Sequence, residues 1–420
     1  MTKTLLTTIG TGDYRPTIYH FADQKAAKTC YVAQAFCQIF PIEKVIVLLT
    51  SEARQKHWES LKSCLPPTVQ VQDRHIPSLE TEEAIWRIFE ILVDSIDPQD
   101  QIIFDITHAF RSIPVLVLLG AALLRKAKNV EIQGLYYGLY RGEASESPIV
   151  DLTPALSLLD WLTATDKFIT TGSSVDLGNL LDTVQQDFYR PQKLAMDMQK
   201  PTKLQNFGRA IHNVSRSIEL IRPMHLLQED LPKLIRHSTP ELEQEIGVFS
   251  KTFGLMLEQV RQSYTPLALS NANADKKEEI YRQFLLLQWY VEKQFTVHAL
   301  LMAREWVVSA LCLLDGRDKY LEREHREAVE KQLGKMIDYQ NPTLKQPIAS
   351  HVKDAKALAN FWSQLTQYRN DIAHVQMNES PLNSQALEKF VQEKLVCTLQ
   401  SLFPSLTQSS QLEEVDSNHC

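Results

Sequence analysis

Hydrophobic positions in the first part of the chain, as far as Trp161, fall into short apolar runs separated by segments of helical periodicity. The runs predict strands over Thr4–Ile9, Lys44–Thr50, Val69–His75, Gln101–Asp105 and Val130–Tyr137. The segments between them predict helices over Gln24–Phe40, Glu52–Cys64, Glu80–Ser95 and Phe110–Ala127. Alternating strands and helices indicate βαβ units, and strands that are apolar throughout indicate a parallel sheet covered on both faces. We therefore expect a Rossmann-like α/β domain over residues 1–170.

Helical periodicity replaces this pattern beyond Trp161, and almost no strand signal remains. The Thr- and Ser-rich segment Phe168–Gly178 is expected to be a loop. The predicted helices are Val184–Met198, Gln205–Leu227, Pro240–Tyr264, Lys276–Leu314, Lys319–Lys335, Lys353–Ala373 and Leu387–Leu402, with breaks at Arg222-Pro223, Asn271–Asp275 and Asn341-Pro342. The fold class is thus α/β plus all-α. We expect a helical connector over residues 171–275, a helical domain over 276–405 and a polar, disordered tail over 406–420.

Composition narrows the functional class. The chain has 420 residues and a formal net charge of −7, which excludes a generally basic nucleic-acid coat protein. Its six cysteines form no C-x-x-C pair, so a metal site and a disulfide framework are disfavoured, and we expect a cytoplasmic protein. The N-terminus is expected to be a strand and not a signal peptide. The apolar stretch Ile113–Leu124 is too short to span a bilayer, so we expect no membrane partner.

Polar residues cluster directly after the predicted strands. In an open parallel sheet, ligands bind beyond the carboxyl ends of the strands, where the strand order switches. The candidate ligand-binding residues are Gly10, Thr11, Gly12, Asp13 and Tyr14 after the first strand, Ser51 and Glu52 after the second, Asp105, Thr107, His108 and Arg111 after the fourth, and Tyr137 and Gly138 after the fifth. Together they predict a pocket for a nucleotide or an oligonucleotide.

The fourth of these loops, Asp105–Arg111, is the most informative. An anion at the start of the helix that follows would gain from both the helix dipole and Arg111. Taken singly, the other loops have plainer explanations, since Gly10-Thr11-Gly12 fits an ordinary turn and Ser51 fits a helix N-cap. Arg15 interrupts the G-x-G-x-x-G fingerprint, which counts against a dinucleotide oxidoreductase.

Arg369, Asn370 and His374 form a second group, at the end of the helix predicted over Lys353–Ala373. Metal-free RNA cleavage uses the neighbouring 2′-hydroxyl as nucleophile, with His as proton acceptor or donor and Arg as the cation for the phosphate. Five residues of regular helix turn through roughly 500°, so Arg369 and His374 lie ~140° apart, while Asn370 and His374 share a face. The pair therefore predicts a catalytic site only at a helix end, at a kink or across a dimer axis. A solvated helix end is the plainer interpretation of the motif alone.

Taken together, the two groups resemble the CRISPR-associated CARF–HEPN ribonucleases of type III systems. One branch of the CARF domain is similar to Gly10–Tyr14, Ser51-Glu52, the run Asp105–Arg111 (DITHAFR), Tyr136-Tyr137-Gly138 and Asp151-Leu152-Thr153, and the HEPN motif is similar to Arg369–His374. The resemblance covers the whole chain in order, with the sensor first and the nuclease last. One departure is Ala109, where that branch usually has Gly.

The resemblance implies a CARF domain that binds cyclic oligoadenylate and a HEPN domain that cuts single-stranded RNA without a metal. It implies that Arg369 and His374 are catalytic and Asn370 supporting, in a homodimer or a higher homo-oligomer. Cyclic tetra-adenylate is the favoured activator, and no other cofactor is implied. The connector carries no assigned motif and is interpreted as a linker, an oligomerisation surface or an RNA platform.

Other functions remain open from the sequence. One is a sensor without nuclease activity that regulates transcription or a partner. Another is slow degradation of the activator by the CARF domain itself, with His108, Thr107 or Ser51 positioning an attacking 2′-hydroxyl. A dinucleotide oxidoreductase is the plainest alternative for the α/β half, and the incomplete fingerprint and the all-α second half count against it.

Overall fold

A computed structural model describes residues 2–78, 81–109, 113–143, 146–188, 202–249, 251–269, 275–338, 346–377 and 379–408. The chain folds into two compact units, Met1–Asp160 and Trp161–Cys420. The end of the first unit lies close to the boundary predicted at residue 170. The boundaries predicted at residues 275 and 405, within the second unit, stay predictions.

The first unit is built on an eight-stranded sheet. Its strands are β1 Lys3–Ile9, β2 Ile18–Phe21, β3 Gln24–Lys25, β4 Lys44–Leu49, β5 Gln70–His75, β6 Gln101–Asp105, β7 Glu131–Gly138 and β8 Glu146–Asp151. Their order across the sheet is β3-β2-β8-β7-β6-β1-β4-β5. The block from β7 to β5 is parallel, whereas β8 runs antiparallel to β7 and β3 antiparallel to β2. The predicted Rossmann-like sheet is confirmed, and the strand order switches at β1, between β4 and β6.

Helices cover both faces of this sheet. They are α1 Val32–Ile39, α2 Ser51–Cys64, α3 Glu82–Asp94 and α4 Ile113–Ala127. Successive side chains of a strand point to opposite faces. Leu5 of β1 therefore packs in a core with residues of α1 and α2, and Leu6 packs in a second core with residues of α3 and α4. Because both faces are buried, the central strands are apolar almost throughout.

The segment before α1 corrects the helix predicted over Gln24–Phe40. Its first residues, Gln24 and Lys25, are strand β3, and Ala22 takes a positive φ of 50° at the turn from β2. Parallel pairing of β2 with β8 and an ion pair between Lys25 and Glu146 stabilise this hairpin. The prediction missed β2, β3 and β8, of which β2 and β3 are short and β2 pairs with β8, far along the chain.

Helices make up the second unit, and no strand occurs among its described residues. Helix α5, Thr153–Thr171, carries the chain into it from the first unit. The following helices are α6 Val175–Phe188, α7 Lys203–Glu219, α8 Pro223–His225, α9 Leu231–His237, α10 Pro240–Phe249, α11 Lys251–Tyr264, α12 Lys276–Glu292, α13 Thr296–Leu314, α14 Arg323–Asp338, α15 Ala355–Ala373, α16 Ser384–Phe390 and α17 Val396–Leu402. Short π or 3₁₀ turns are Leu226–Asp230, Thr265–Leu267, Pro347–His351, Val391–Leu395 and Pro404–Leu406. The predicted α/β plus all-α class is confirmed.

Several helix boundaries differ from the predicted ones. The loop predicted over Phe168–Gly178 is wrong, because α5 runs to Thr171 and α6 starts at Val175. Phe168 is fully buried, so packing overrides the weak helix propensity of its Thr and Ser neighbours. Two predicted helices are each divided, Pro240–Tyr264 and Lys276–Leu314. The break predicted at Arg222-Pro223 is confirmed, since one helix ends at Glu219 and the next begins at Pro223. The breaks predicted at Asn271–Asp275 and Asn341-Pro342 fall largely or wholly outside the described residues, as does the end of Val184–Met198.

By length and composition α13 is apolar enough to cross a membrane, but 61% of its most apolar window is buried inside the protein, as in the core helix of a globular unit.

The disordered tail predicted from residue 406 is wrong at its start, since Leu406 and Thr407 are buried. Residues 409–420 lie outside the described part of the chain.

Candidate functional site

The loops that follow β1 and β6 meet at the switch in strand order. These strands are parallel neighbours, so their carboxyl ends lie at the same edge of the sheet. The loop after β1 carries Gly10–Tyr14, and the loop after β6 carries Thr107 and His108. The structure therefore brings together two of the loops that the sequence predicted to bind a ligand. Arg111, the predicted cation of this site, lies outside the described residues.

Asp105, at the end of β6, organises the floor of the site. Its side chain is 1% exposed and accepts hydrogen bonds from Thr7 Oγ1 and Thr107 Oγ1, each at 2.5 Å, and from the Thr107 amide at 3.0 Å. The Thr107 hydroxyl in turn accepts from the Gly138 amide at 2.7 Å. Burial raises the pKa of Asp105, and the hydrogen bonds from Thr107 and Thr7 oppose this shift. The network therefore fixes the β6 and β7 loops relative to β1.

Gly138 lies at a point where a side chain does not fit. A Cβ atom there would lie 2.9 Å from Tyr19, 3.0 Å from Val32 and 3.2 Å from Thr107 Oγ1. Glycine thus allows β7 to approach the Thr107 hydroxyl closely. The neighbouring Tyr137 is exposed, with 36% of its surface accessible.

Tyr14 forms the centre of an aromatic cluster above this floor. Its ring lies 4.0 Å from the His108 ring and 4.8 Å from the His57 ring, measured between centroids. Its hydroxyl accepts a hydrogen bond from the Gly10 amide at 2.8 Å, which closes the loop after β1 on itself. Burial raises the pKa of Tyr14, so the hydroxyl stays protonated near neutral pH.

His57 belongs to this cluster although the sequence did not indicate it. Its Nε2 lies 2.8 Å from the Gly12 carbonyl oxygen, and its Nδ1 lies 3.1 Å from the Tyr31 hydroxyl. A carbonyl only accepts, so Nε2 carries the proton and Nδ1 accepts from Tyr31. His57 lies on the buried face of α2, and only its interruption of an apolar helix face could have marked it in the sequence.

Lys56 restrains the same loop from its exposed side. Its ammonium donates to the Thr11 carbonyl at 2.8 Å and to Asp13 at 2.5 Å. The hydrogen bond and the charge of Lys56 hold the pKa of Asp13 below its ordinary value. The loop between Gly10 and Tyr14 is therefore held at its start, middle and end by side-chain contacts.

His108 carries a polar atom without a partner among the described residues. Its Nε2 is buried and makes no hydrogen bond. Burial, reinforced by the nearby His57, lowers the pKa of His108 to about 4. The ring is therefore neutral at physiological pH, and it offers a hydrogen-bonding nitrogen at the edge where a ligand is expected.

The loop after β4 differs in detail from its prediction. The N-cap of α2 is Thr50, whose hydroxyl accepts from the Ala53 amide at 3.3 Å, so the cap interpretation of Ser51 is wrong. Ser51 instead lies 2.8 Å from His75 Nε2 at the end of β5, and it is exposed. Glu52 is exposed in the first turn, where its own backbone amide and Thr50 hold its pKa below the ordinary value.

The second predicted group lies in the other unit, at the end of α15. This helix begins at an Asp354 cap, which accepts from the amides of Lys356 and Ala357 at 3.0 and 2.9 Å. Its last helical residue is Ala373, so His374 is the C-cap and its amide donates to the Asn370 carbonyl at 2.9 Å. Of the three predicted catalytic residues, Asn370 and His374 are exposed and Arg369 is partly buried. The motif thus lies at a helix end, one of the arrangements in which the sequence allowed it to act.

The chain turns sharply directly after His374. Val375 and Gln376 take positive φ angles of 53° and 63°, which a β-branched residue rarely adopts. Asp371 is buried, with its backbone carbonyl accepting from the Gln376 amide at 2.9 Å and its carboxylate from the Leu382 amide at 3.2 Å. Asp371 therefore ties the turn after the helix to the helix itself, and this fixes the backbone on both sides of His374.

The described part of the chain was also searched for side chains that could bind a metal ion. No group of three or more His, Cys, Asp or Glu side chains there is arranged to hold a metal ion.

Comparisons with known proteins identify the first unit. Residues 4–139 match the family model of the CARF domain of the CRISPR system endoribonuclease Csx1. CRISPR-associated protein MJ1674 of Methanocaldococcus jannaschii is 26% identical over 170 residues, which span 39% of this chain and 26% of that protein. The chain thus matches about a quarter of the length of this curated relative. Residues 4–139 of this chain are therefore a CARF domain of the kind found in the CRISPR system endoribonuclease Csx1.

A solved structure was also found over almost the whole length. It is Enterococcus italicus Csm6 bound to cyclic hexa-2′-fluoro-hexa-dAMP, with a TM-score of 0.40 and 10% sequence identity. The match covers 99% of this chain and 98% of that one.

Proposed function

We propose that this CARF-containing chain is a ribonuclease of type III CRISPR antiviral defence that cyclic oligoadenylate activates and that cuts single-stranded RNA without a metal. The observation that carries the proposal is the CARF domain over residues 4–139, with its polar loops gathered at the strand switch. Cyclic tetra-adenylate is the favoured activator. The cysteines in the described part of the chain are free thiols, which suits a protein that acts in the reducing cytoplasm.

The aromatic and hydrogen-bonding groups at the switch point suit an adenine nucleotide. The rings of Tyr14 and His108 offer a surface on which a base can stack. His108 Nε2 has no partner among the described residues and can accept or donate one hydrogen bond to the ligand. The Asp105 network holds Thr107 and Gly138 in place, and Arg111 would supply a cation for a phosphate.

Arg369, Asn370 and His374 provide the groups that RNA cleavage needs. The 2′-hydroxyl oxygen attacks the adjacent phosphorus, its proton leaves to a base, and the 5′-oxygen departs with a proton from an acid. His374 takes part in one of these proton transfers, and the Arg369 guanidinium balances the charge that grows on the phosphoryl oxygens. Because the carboxyl end of a helix is negatively polarised, the phosphate depends on this cation there.

A homodimer is part of the proposal. Helix α4 exposes a stripe of apolar side chains one turn apart, Val115 at 57%, Leu119 at 52% and Leu123 at 41% exposure. The neighbouring α3 adds Trp86 at 61%. Exposed apolar stripes of this kind mark interaction surfaces, and a two-fold axis at this unit suits a ring-shaped ligand.

Replacing Leu119 with Lys tests this surface. A charge in the middle of an apolar contact is expected to shift a dimer to monomers, while the monomer stays folded because Leu119 is half exposed. Light scattering coupled to size exclusion measures the change. Leu220→Lys, at a residue 56% exposed in the other unit, is the matched control. An unchanged mass for Leu119→Lys would exclude α4 as the dimer contact.

The decisive experiment follows cleavage of a fluorescent single-stranded RNA in EDTA, with and without cyclic tetra-adenylate or hexa-adenylate. Wild type is expected to cut only with one ring, and His374→Ala and Arg369→Ala to lose at least a hundredfold in rate, the usual order for a general acid–base group. Cleavage by the variants at the wild-type rate would refute the assignment. Activator binding without any RNA cleavage would favour a sensor that lacks nuclease activity.

His108 supports a second activity, degradation of the activator. A neutral imidazole with a free, buried Nε2 is suited to accept the proton of an attacking 2′-hydroxyl. Incubating labelled cyclic tetra-adenylate with the His374→Ala protein isolates this activity from RNA cleavage. Ring opening that His108→Ala abolishes is expected, and an intact ring after long incubation would exclude it.

A further inference from the structure

A cleft in the second unit has no assigned role. It lies between α6 and α7, encloses about 390 Å³, and is called the α6–α7 cleft below. Its lining residues are mostly polar: Ser174, Val175, Gly178, Asn179, Asp182, Gln205, Gly208, Arg209, His212 and Asn213. The cleft belongs to the connector, for which the sequence left a linker, an oligomerisation surface or an RNA platform open.

Helix α7 presents a basic stripe to this cleft. Its buried face packs Phe207, Ile211 and Val214 into the core. The opposite face exposes Arg209, His212, Asn213 and Arg216, at the spacing that places them on one side of a helix. Among the residues the structure describes, Arg209 has no ion-pair or hydrogen-bond partner. An unpaired guanidinium beside a polar cavity is suited to a phosphate group.

A second cation, Arg216, lies beside the cleft and contacts His212, one of its lining residues. Arg216 donates to His212 Nε2 at 3.1 Å, and the Ser174 hydroxyl lies 3.5 Å from His212 Nδ1. These contacts hold His212 and Arg216 side by side. The carboxylate that lines the cleft, Asp182, is exposed, and Asp176 at the start of α6 is paired with Lys167. The stripe therefore keeps an excess of positive charge in a chain of net charge −7.

Two glycines leave the walls of the cleft open. A Cβ atom on Gly178 would meet no heavy atom within 4 Å, and one on Gly208 would meet only Leu181, at an ordinary contact distance of 3.5 Å. Helix packing therefore does not require glycine at either position. Glycine in a helix interior destabilises it relative to alanine, so two glycines that helix packing does not require are an independent sign that a chain or ligand approaches the helix backbones.

We propose that the α6–α7 cleft binds the phosphodiester backbone of single-stranded RNA, with Arg209 and Arg216 on the phosphates. The cleft offers cations for phosphate oxygens, amides and a carboxylate for ribose hydroxyls or base edges, and glycine-lined walls for close contact. Among the described residues that line it, His212 alone carries an aromatic ring, so most contacts are with the backbone and carry little sequence preference. The inference rests on the proposed function, since it gives that nuclease a site that holds its substrate.

The test measures RNA binding by the full-length His374→Ala protein, so that cleavage does not enter. A labelled single-stranded RNA is titrated by fluorescence anisotropy at several salt concentrations. Arg209→Gln with Arg216→Gln is expected to weaken binding about tenfold and to reduce the slope of log K against log salt by about 1.4, the value for two phosphate contacts on a single strand. Arg236→Gln, an exposed arginine of α9 in the same unit, is the control and should leave the slope unchanged.

A second variant separates binding from folding. Gly178→Ala adds a methyl group that meets nothing in the protein, so the melting temperature should be equal or higher while RNA affinity falls. Wild-type affinity and slope in both the Arg209/Arg216 and the Gly178 variants would overturn the inference, as would competition for the cleft by inorganic phosphate or AMP as strong as that by RNA. RNA binding that depends on the cleft in a protein that never cuts RNA would leave the inference standing and refute the proposed nuclease.

Discussion

At the scale of single residues, the candidate ligand site contains a histidine, His108, that burial keeps neutral. The pKa of His108 is lowered to about 4, below its value in the unfolded chain. The unfolded state therefore binds a proton that the folded state does not, so the stability is fully present above the unfolded pKa near 6.5 and is lost as the pH falls toward 4. The loss between these limits reaches about 3 kcal/mol in order of magnitude.

Substitution of His108 tests this linkage. His108→Gln removes the titration, so the variant should lose about 2 kcal/mol less than wild type between pH 7 and pH 5. Hydrogen exchange of peptides from β6, measured at both pH values, reports opening of the first unit alone. Equal acid sensitivity of His108→Gln and wild type would show that His108 is not the group responsible.

Thr107 is a second residue on which the site depends, because its hydroxyl links Asp105 at the end of β6 to the Gly138 amide at the end of β7. Thr107→Val keeps the shape but leaves the buried Asp105 with one hydrogen bond fewer and the Gly138 amide without its acceptor. The expected loss is about 1–3 kcal/mol of stability, with weaker activator binding. Calorimetric titration and thermal melting measure both, and Thr107→Ser, which keeps the hydroxyl, should behave as wild type. A fully stable Thr107→Val protein with wild-type affinity would contradict this role.

At the scale of elements, the end of α15 combines a candidate catalytic residue with backbone strain. Val375 follows His374 at φ 53° and is 73% exposed, so its side chain contributes little packing to offset the strain. Val375→Gly should raise stability by about 1 kcal/mol, because glycine adopts this conformation without a steric penalty. Urea denaturation gives the stability, and RNA cleavage at saturating activator gives the activity.

The two readouts together decide what the strain does. If it positions His374, cleavage should fall in Val375→Gly although the protein is more stable. Leu220→Gly, an exposed residue at the end of α7, controls for added flexibility. Unchanged cleavage in the stabilised variant would mean that the turn is only structural.

The strands and helices also show what the local hydrophobic pattern of the sequence could and could not predict. The central strands β1, β4 and β6 were readable, because burial on both faces leaves apolar runs. The hairpin of β2 and β3 was not, because long-range pairing with β8 holds exposed and weakly apolar residues in place. The α5–α6 region was mistaken for a loop, because Phe168 is drawn into the core by residues far along the chain.

In the candidate site, too, some residues could be predicted from the sequence and others could not. Residues that follow predicted strands, such as Asp105 and Thr107, could be named from strand ends alone. His57 could not, because its contact with Gly12 comes from packing of α2 against the loop after β1 and not from any motif. The helix predicted over Lys353–Ala373 already placed His374 at a helix end, and the structure confirms that end. A meeting of two such motifs across a dimer axis stays a prediction.

At the scale of the whole molecule, the two units have separate hydrophobic cores, so a ligand of the first unit need not stabilise the second. Cyclic tetra-adenylate at a hundred times its Kd should stabilise the first unit by about 2.7 kcal/mol through mass action. Hydrogen exchange measured along the chain shows which segments the ligand stabilises.

If the ligand activates a nuclease, its effect must extend beyond protecting the first unit from hydrogen exchange. Ligand must bind two states of the molecule with different affinity, and the second unit must differ between those states. We therefore expect exchange to change both in the loops after β1 and β6 and at the end of α15, around His374. His108→Ala should remove both changes together if it weakens activator binding, since one equilibrium couples them. Protection confined to the first unit at saturating ligand would separate sensing from cleavage and favour a sensor that acts through a partner.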